Sequence, residues 1–124
     1  MGIADIILYS FAAYYYGKNP FVNKSYCNKD EMFNILLNNC TENTFDVELN
    51  LFHKMNCRHE PYRYIPKTGQ IVLTSFKNDT DCMYKIADSY GVTNLSVVYV
   101  LQTDTFDIYI PSSGTYIELS KCQQ

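Results

Sequence analysis

Tryptophan is absent from this 124-residue chain, and basic residues, histidines and long apolar runs are all scarce. Ten Lys and Arg against thirteen Asp and Glu give a formal charge of -3 and a sequence pI near 5.2. The cations are scattered rather than striped, so the chain offers no electrostatic footprint for nucleic acid. With two histidines, His53 and His59, and no Cys-x-x-Cys pair, a zinc quartet is excluded. Cys57 lies between the two histidines but reads as a disulfide former, and no plausible Ser or Cys nucleophile stands near either of them, so the chain reads as a non-enzyme with no cofactor. Asp79, Asp81 and Asp104 lack the ligand spacing of a calcium loop and read as turn residues. The apolar stretch from Ile6 to Tyr16 is too short to span a bilayer. It follows Asp5 rather than a basic residue and precedes no cleavage site, so it is not a leader either. Ile6 stands where a myristoylation signal needs Ser or Thr. The expected picture is a mature or incomplete chain given a start Met, free of membrane.

What the chain does have is rings. Twelve Tyr and seven Phe make up its 15% aromatic share, more ring surface than a small core needs. A tyrosine joins a flat apolar body to a polar tip, which suits a ligand cavity and a recognition surface equally. The length fits a single domain with a real core, and no repeat, linker or low-complexity tract divides residues 1–124.

Cysteines and sequons point to the secretory route. Cys27, Cys40, Cys57, Cys82 and Cys122 are spread out as disulfide formers are. Four Asn-x-Ser/Thr sequons begin at Asn23, Asn39, Asn78 and Asn94 and mark candidate glycosylation sites on exposed turns. The competing reading is a cytosolic protein whose sequons are accidental.

Between Pro61 and Ile110, short apolar segments are punctuated by turns at Thr68-Gly69, Asn78-Asp79-Thr80-Asp81 and Ser89-Tyr90-Gly91. This rhythm is that of an antiparallel meander closing into a sandwich or barrel, which makes the fold class all-β. Phe45, Val47, Leu49 and Leu51 alternate with polar residues, as do Phe106, Ile108 and Ile110. Segments are expected near 6–17, 26–37, 44–54, 61–65, 70–76, 82–88, 95–102, 106–110 and 115–120, with the second able to form a helix instead. An extended 44–54 would span about 36 Å. Cys40 and Cys57 flank it, so their pairing is disfavoured unless the strand bends sharply, because a disulfide needs Cα atoms within about 7 Å.

The order Tyr62-Arg63-Tyr64, Gly69-Gln70-Ile71 and Asp79-Thr80-Asp81-Cys82 resembles the middle of tick salivary lipocalins of the histamine-binding family. Upstream, Tyr14 to Pro20 followed by Cys27 is similar to that family's early strand, turn and first barrel Cys. Downstream, Tyr99 to Asp104 looks like its late strand. The similarity covers about residues 8–110. It implies an eight-stranded barrel, full or incomplete at its termini, secreted in saliva to sequester a host mediator in an internal pocket. Tyr16, Tyr62 and Tyr64 fall where the family places rings against its ligand, and Val72 falls on a pocket-facing position.

The amine-binding carboxylates of the family do not carry over. Tyr99 matches its late-strand Glu, Leu101 its Trp, Asn19 the Asp before Pro, and Met83 the Asp after the mid-chain Cys. A buried ammonium without a carboxylate costs several kcal/mol or more, so the expected guest is a small hydrophobic molecule rather than histamine. Arg63 or Lys85 could receive an acid headgroup, although solvated surface charge is the plainer reading. In the family one disulfide joins the early Cys to the C-terminal region and another joins the mid-chain Cys to a later one. Cys122 is the sole candidate for both Cys27 and Cys82. The expectation places it with Cys82, leaving Cys27 to Cys40, Cys57 or a partner beyond Gln124.

Two functions fit these residues: a monomeric container for a small hydrophobic ligand, and a secreted module that binds a host protein through Tyr-rich strands. A container should bury Tyr62, Tyr64 and Tyr99, whereas a binding module should expose its rings as a patch. An unrelated viral or parasite β-domain is a third reading.

Overall fold

The alternation of Thr44–Asn50 is realised as a strand with Phe45 and Val47 buried on one face. A computed structural model describes residues 19–28, 34–50 and 53–122. Among these, eight antiparallel strands form a closed barrel in simple meander order. They are β1 (Tyr26–Cys27), β2 (Asn34–Asn38), β3 (Thr44–Asn50), β4 (Lys54–Ile65), β5 (Gln70–Leu73), β6 (Ser96–Val100), β7 (Thr105–Ile110) and β8 (Thr115–Lys121). The ring closes where Tyr26 of β1 pairs with Lys121 of β8. Closure leaves no sheet edge to protect. Of the sandwich or barrel that the turn rhythm allows, the fold is the all-β barrel, with the eight strands that the lipocalin resemblance implies.

Several element boundaries differ from expectation. Segment 26–37 is not one strand or helix: Tyr26 is the antiparallel partner of Leu37, so the chain reverses within it. Likewise 44–54 turns back on itself, with Asn50 opposite Lys54. The expected 61–65 is only the second part of the twelve-residue β4. In its first part β4 carries a bulge, where His59 takes φ 57 and its N–H donates to Asp46 Oδ1 at 2.9 Å. Segment 70–76 ends as a strand at Leu73. The expected segment 6–17, residues 29–33 and Leu51 lie outside the described residues.

Segment 82–88 is a helix, α1 (Cys82–Ser89), not a strand. Asp81 caps it, its carboxylate accepting from Tyr84 N at 2.9 Å. Met83, Ile86 and Ala87 then recur at helical spacing on the face that looks into the barrel. At the other end Gly91, at φ 74, and Val92 donate back to the carbonyls of Asp88 and Ala87, at 3.0 and 2.8 Å, which closes the helix by a Schellman motif. The apolar spacing of 82–88 is short enough to read either way, and its two caps decide for helix.

Disulfides join Cys27 to Cys122 and Cys57 to Cys82. The expected Cys82–Cys122 bond does not form, because α1 carries Cys82 onto β4 while Cys122 follows β8 alongside β1. Cys122 N donates to Ser25 O at 2.9 Å, fixing that second position. Cys40 and Cys57 stay unpaired with each other, but not because an extended 44–54 separates them: the chain turns back at Asn50–Lys54, and Cys57 is taken by Cys82. Cys40 is a free, buried thiol.

Candidate functional site

In a barrel, alternate residues of every strand face inward, and the registers fix which ones. Tyr62 of β4 lies opposite Leu73 of β5, whose other inward residue is Ile71. Farther round, Phe106 lies opposite Leu119 and Ile108 opposite Ile117. These inward residues, with Ile35 and Leu37 of β2 and Phe45 and Val47 of β3, surround a cavity of about 300 Å³. Met83, Ile86 and Ala87 of α1, with Phe76 and Tyr90 on either side of it, complete the wall. No charged residue lines it and its surface is apolar throughout.

One end is plugged by rings. Phe21, 2% exposed, sits 5.0 to 5.7 Å from the ring centres of Tyr62, Tyr64, Tyr99 and Phe106. Beneath them Asp104, in the β6–β7 turn, accepts from the hydroxyls of Tyr26 and Tyr99, each at 2.6 Å. Its second oxygen faces Lys24 Nζ at 3.5 Å. Burial alone would raise the Asp104 carboxyl, but the two tyrosine hydroxyls and Lys24 outweigh it and hold it below its ordinary value. Burial, reinforced by hydrogen bonding to this carboxylate, pushes both tyrosine hydroxyls well above theirs. The Tyr62 hydroxyl donates to the Thr41 carbonyl and accepts from Asn19 Nδ2, which lies 2.9 Å away. Burial pushes it up to about 12. These three hydroxyls are therefore used in sealing the barrel and not in presenting polar groups to its interior.

The wall formed by α1 rests on a second polar cluster. Glu60 of β4 and Asp81 at the helix cap are both buried, 4% and 8% exposed. Glu60 Oε1 accepts from Met83 N at 3.3 Å. Burial first, then Asp81, raises the Glu60 carboxyl to about 7. The sulfurs of Cys57 and Cys82 lie within 4.8 Å of Glu60 and are joined in the disulfide beside it.

Among the expected ligand-binding residues, Tyr62 lines the cavity. Tyr64 and Tyr99 pack against Phe21 in the aromatic plug instead. Val72 does not face inward: it is paired with Arg63, and the inward face of β5 belongs to its neighbours Ile71 and Leu73. Leu101 is not a pocket residue either, since it sits exposed in the β6–β7 turn. Tyr16 lies outside the described residues. Arg63 and Lys85 are exposed, in keeping with solvated charge. The four sequon asparagines, Asn23, Asn39, Asn78 and Asn94, are all exposed, and Asn39 Nδ2 donates to Asp46 Oδ2 at 2.8 Å.

Sequence reasoning missed the contributions of β2, β8 and α1 to the cavity, although the alternation of Ile117 and Leu119 with Tyr116, Glu118 and Ser120 was the signal for β8. It also missed the Glu60–Asp81 pair, for which no local pattern exists. No family model, curated protein or solved structure matches the chain. Fold and cavity geometry therefore carry the functional argument. The two disulfides are consistent with an extracellular protein.

Proposed function

We propose that the protein is a secreted, glycosylated, monomeric container that sequesters a small, neutral, hydrophobic molecule, without catalysing its conversion. The observation carrying this reading is the closed barrel around an uncharged cavity of about 300 Å³, the lower end of the range for ligand sites. A charged amine has no partner there, which argues against histamine and agrees with the loss of the carboxylates that the tick lipocalin resemblance calls for. That resemblance supplies the setting, a host mediator captured in saliva. Of the three rings that a container should bury, Tyr62 and Tyr99 are 5% and 3% exposed and Tyr64 is half-buried.

Magnitudes bound the ligand. At the volume of liquid water per molecule, the cavity holds roughly ten non-hydrogen atoms. Burying that many methylene-sized groups yields about 8 kcal/mol before association costs of 4 kcal/mol or more. Apolar contact alone then gives a dissociation constant no tighter than about 1 mM. Tighter capture requires a larger guest that makes additional contacts with the exposed lining residues Tyr90 and Thr115.

A second reading, attachment to a host protein, is favoured by one feature. Tyr109 and Tyr116 are cross-strand partners on the outer face, 41% and 63% exposed. The experiment that separates the two is native mass spectrometry on glycosylated material from a eukaryotic secretory host, followed by organic extraction. A neutral lipid recovered at near-stoichiometric amount is expected. An empty monomer that gains no thermal stability from lipids or amines would sink the container and favour the binding module.

A further inference from the structure

Phe106 and Ile108 of β7 and Ile117 and Leu119 of β8 face the cavity, so the residues between them point away from the barrel. The register arranges this outer face in two adjoining rows. Tyr109 stands opposite Tyr116, and Asp107 opposite Glu118. Among the described residues, the exposed large apolar side chains are Tyr90, Leu101, Tyr109 and Tyr116. Tyr90 belongs to the cavity wall and Leu101 to a turn. The other two are neighbours, with ring centres 6.3 Å apart.

Nothing within the barrel balances the carboxylate row. Like charges directly opposite one another on paired strands cost stability. The strands β6, β7 and β8 carry a single cation, Lys121, and it lies at the closure of the barrel opposite Tyr26. The ion pairs of the described residues are Lys24 with Asp104 and Lys54 with Glu48, so neither Asp107 nor Glu118 has a cation there. Asp107 foremost, and Glu118 with it, raise the neighbouring Tyr116 hydroxyl above its ordinary value.

We infer that the outer face of β7 and β8 is a docking surface for an arginine-bearing segment of another protein, its guanidinium groups stacked on Tyr109 and Tyr116 and paired with Asp107 and Glu118. A guanidinium satisfies both rows at once, because its plane lies on a tyrosine face while its fork of N–H groups meets a carboxylate. A lysine ammonium supplies the charge without the plane. Anionic partners, such as nucleic acid or an acidic lipid surface, are repelled by the same carboxylates. Docking here deepens the protein-attachment reading, on which it rests, and leaves the barrel free to hold a guest.

The test uses the full glycosylated chain, labelled with 15N-tyrosine in the secretory host and titrated with a blocked glycine pentapeptide bearing arginine at its second and fourth positions. The Tyr109 and Tyr116 amide signals should move saturably, while that of Tyr90, exposed elsewhere, stays still. The matched citrulline peptide, similar in shape but uncharged, should move neither. The lysine peptide should bind about two- to fivefold more weakly. Asp107→Asn combined with Glu118→Gln should weaken the arginine peptide at least about fivefold, and Tyr116→Ser about two- to fivefold, with circular dichroism confirming that each variant is folded. Binding that survives loss of both carboxylates, or shifts shared equally with Tyr90, would overturn the docking surface. An equal response to the citrulline or lysine peptide would overturn the guanidinium partner while keeping the tyrosine pair as an attachment site. No response to any of the peptides would remove both. Uptake of the neutral probe N-phenyl-1-naphthylamine, measured with and without saturating arginine peptide, should be the same, and competition between them would place the peptide in the cavity and overturn the surface.

Discussion

Gly69 is held at φ 80 against β6, where a Cβ would run into the Tyr99 carbonyl oxygen. Its own carbonyl accepts from Tyr99 N at 2.7 Å, so neither backbone can step aside. Gly69→Ala should cost at least about 2 kcal/mol by strain and clash together, read as a lower urea midpoint with an unchanged slope. Tyr26, fully buried, donates to a carboxylate, and Tyr26→Phe should lose about 1.5–3 kcal/mol. Asp104, whose folded value lies below its ordinary one, makes its contribution in full above the unfolded value, and that contribution is lost as pH falls through the lower folded value. Urea titrations from about pH 5 downward should therefore show an acid-side loss of stability that is shallower in Tyr26→Phe. At this scale the sequence was only partly readable. Residue type singled out Tyr62 and Tyr99 as rings to bury, but Val72 was misplaced by one position, since register alone decides which face a strand residue occupies. Glu60 gave no signal at all, its partner being supplied by the fold.

Among the elements, β3 and β7 were legible because their alternation is regular, whereas α1 was not, because eight residues hold too few turns for periodicity to declare itself. The bulge in β4 was equally hidden: His59 adopts a left-handed conformation that its residue type tolerates without requiring. The two disulfides differ in what they restrain. Cys57–Cys82 closes a separation of 25 residues and Cys27–Cys122 one of 95. Chain entropy assigns the first about 3.5 kcal/mol and the second about 4.7 kcal/mol. Paired Cys→Ser replacements, compared by urea midpoint, should rank in that order. The barrel-closing bond between β1 and the end of β8 is the more consequential for global stability, the helix bond for local stability.

For the whole molecule, the meander was readable from spacing alone, since apolar segments every eight to twelve residues close most simply on themselves. The cavity was not readable, because its volume depends on side chains from seven strands and a helix meeting without filling the space. Ile108→Phe, which adds bulk on the lining, should leave thermal stability within about 1.5 kcal/mol of wild type while reducing uptake of an apolar probe at least several-fold, measured by fluorescence titration. Retained uptake would place the guest elsewhere on the protein. Five cysteines in an oxidising compartment always leave one that could attack a neighbour's bond, and here that odd thiol is Cys40, 1% exposed, with burial first and Asp46 second raising it to about 12. Disulfide exchange requires an accessible thiolate, and Cys40 is neither accessible nor ionised at physiological pH. The barrel interior thus acts as a protecting group: once folded, the chain cannot reshuffle its own cross-links, and thiol reagents should find no reactive sulfur among the described residues until it unfolds.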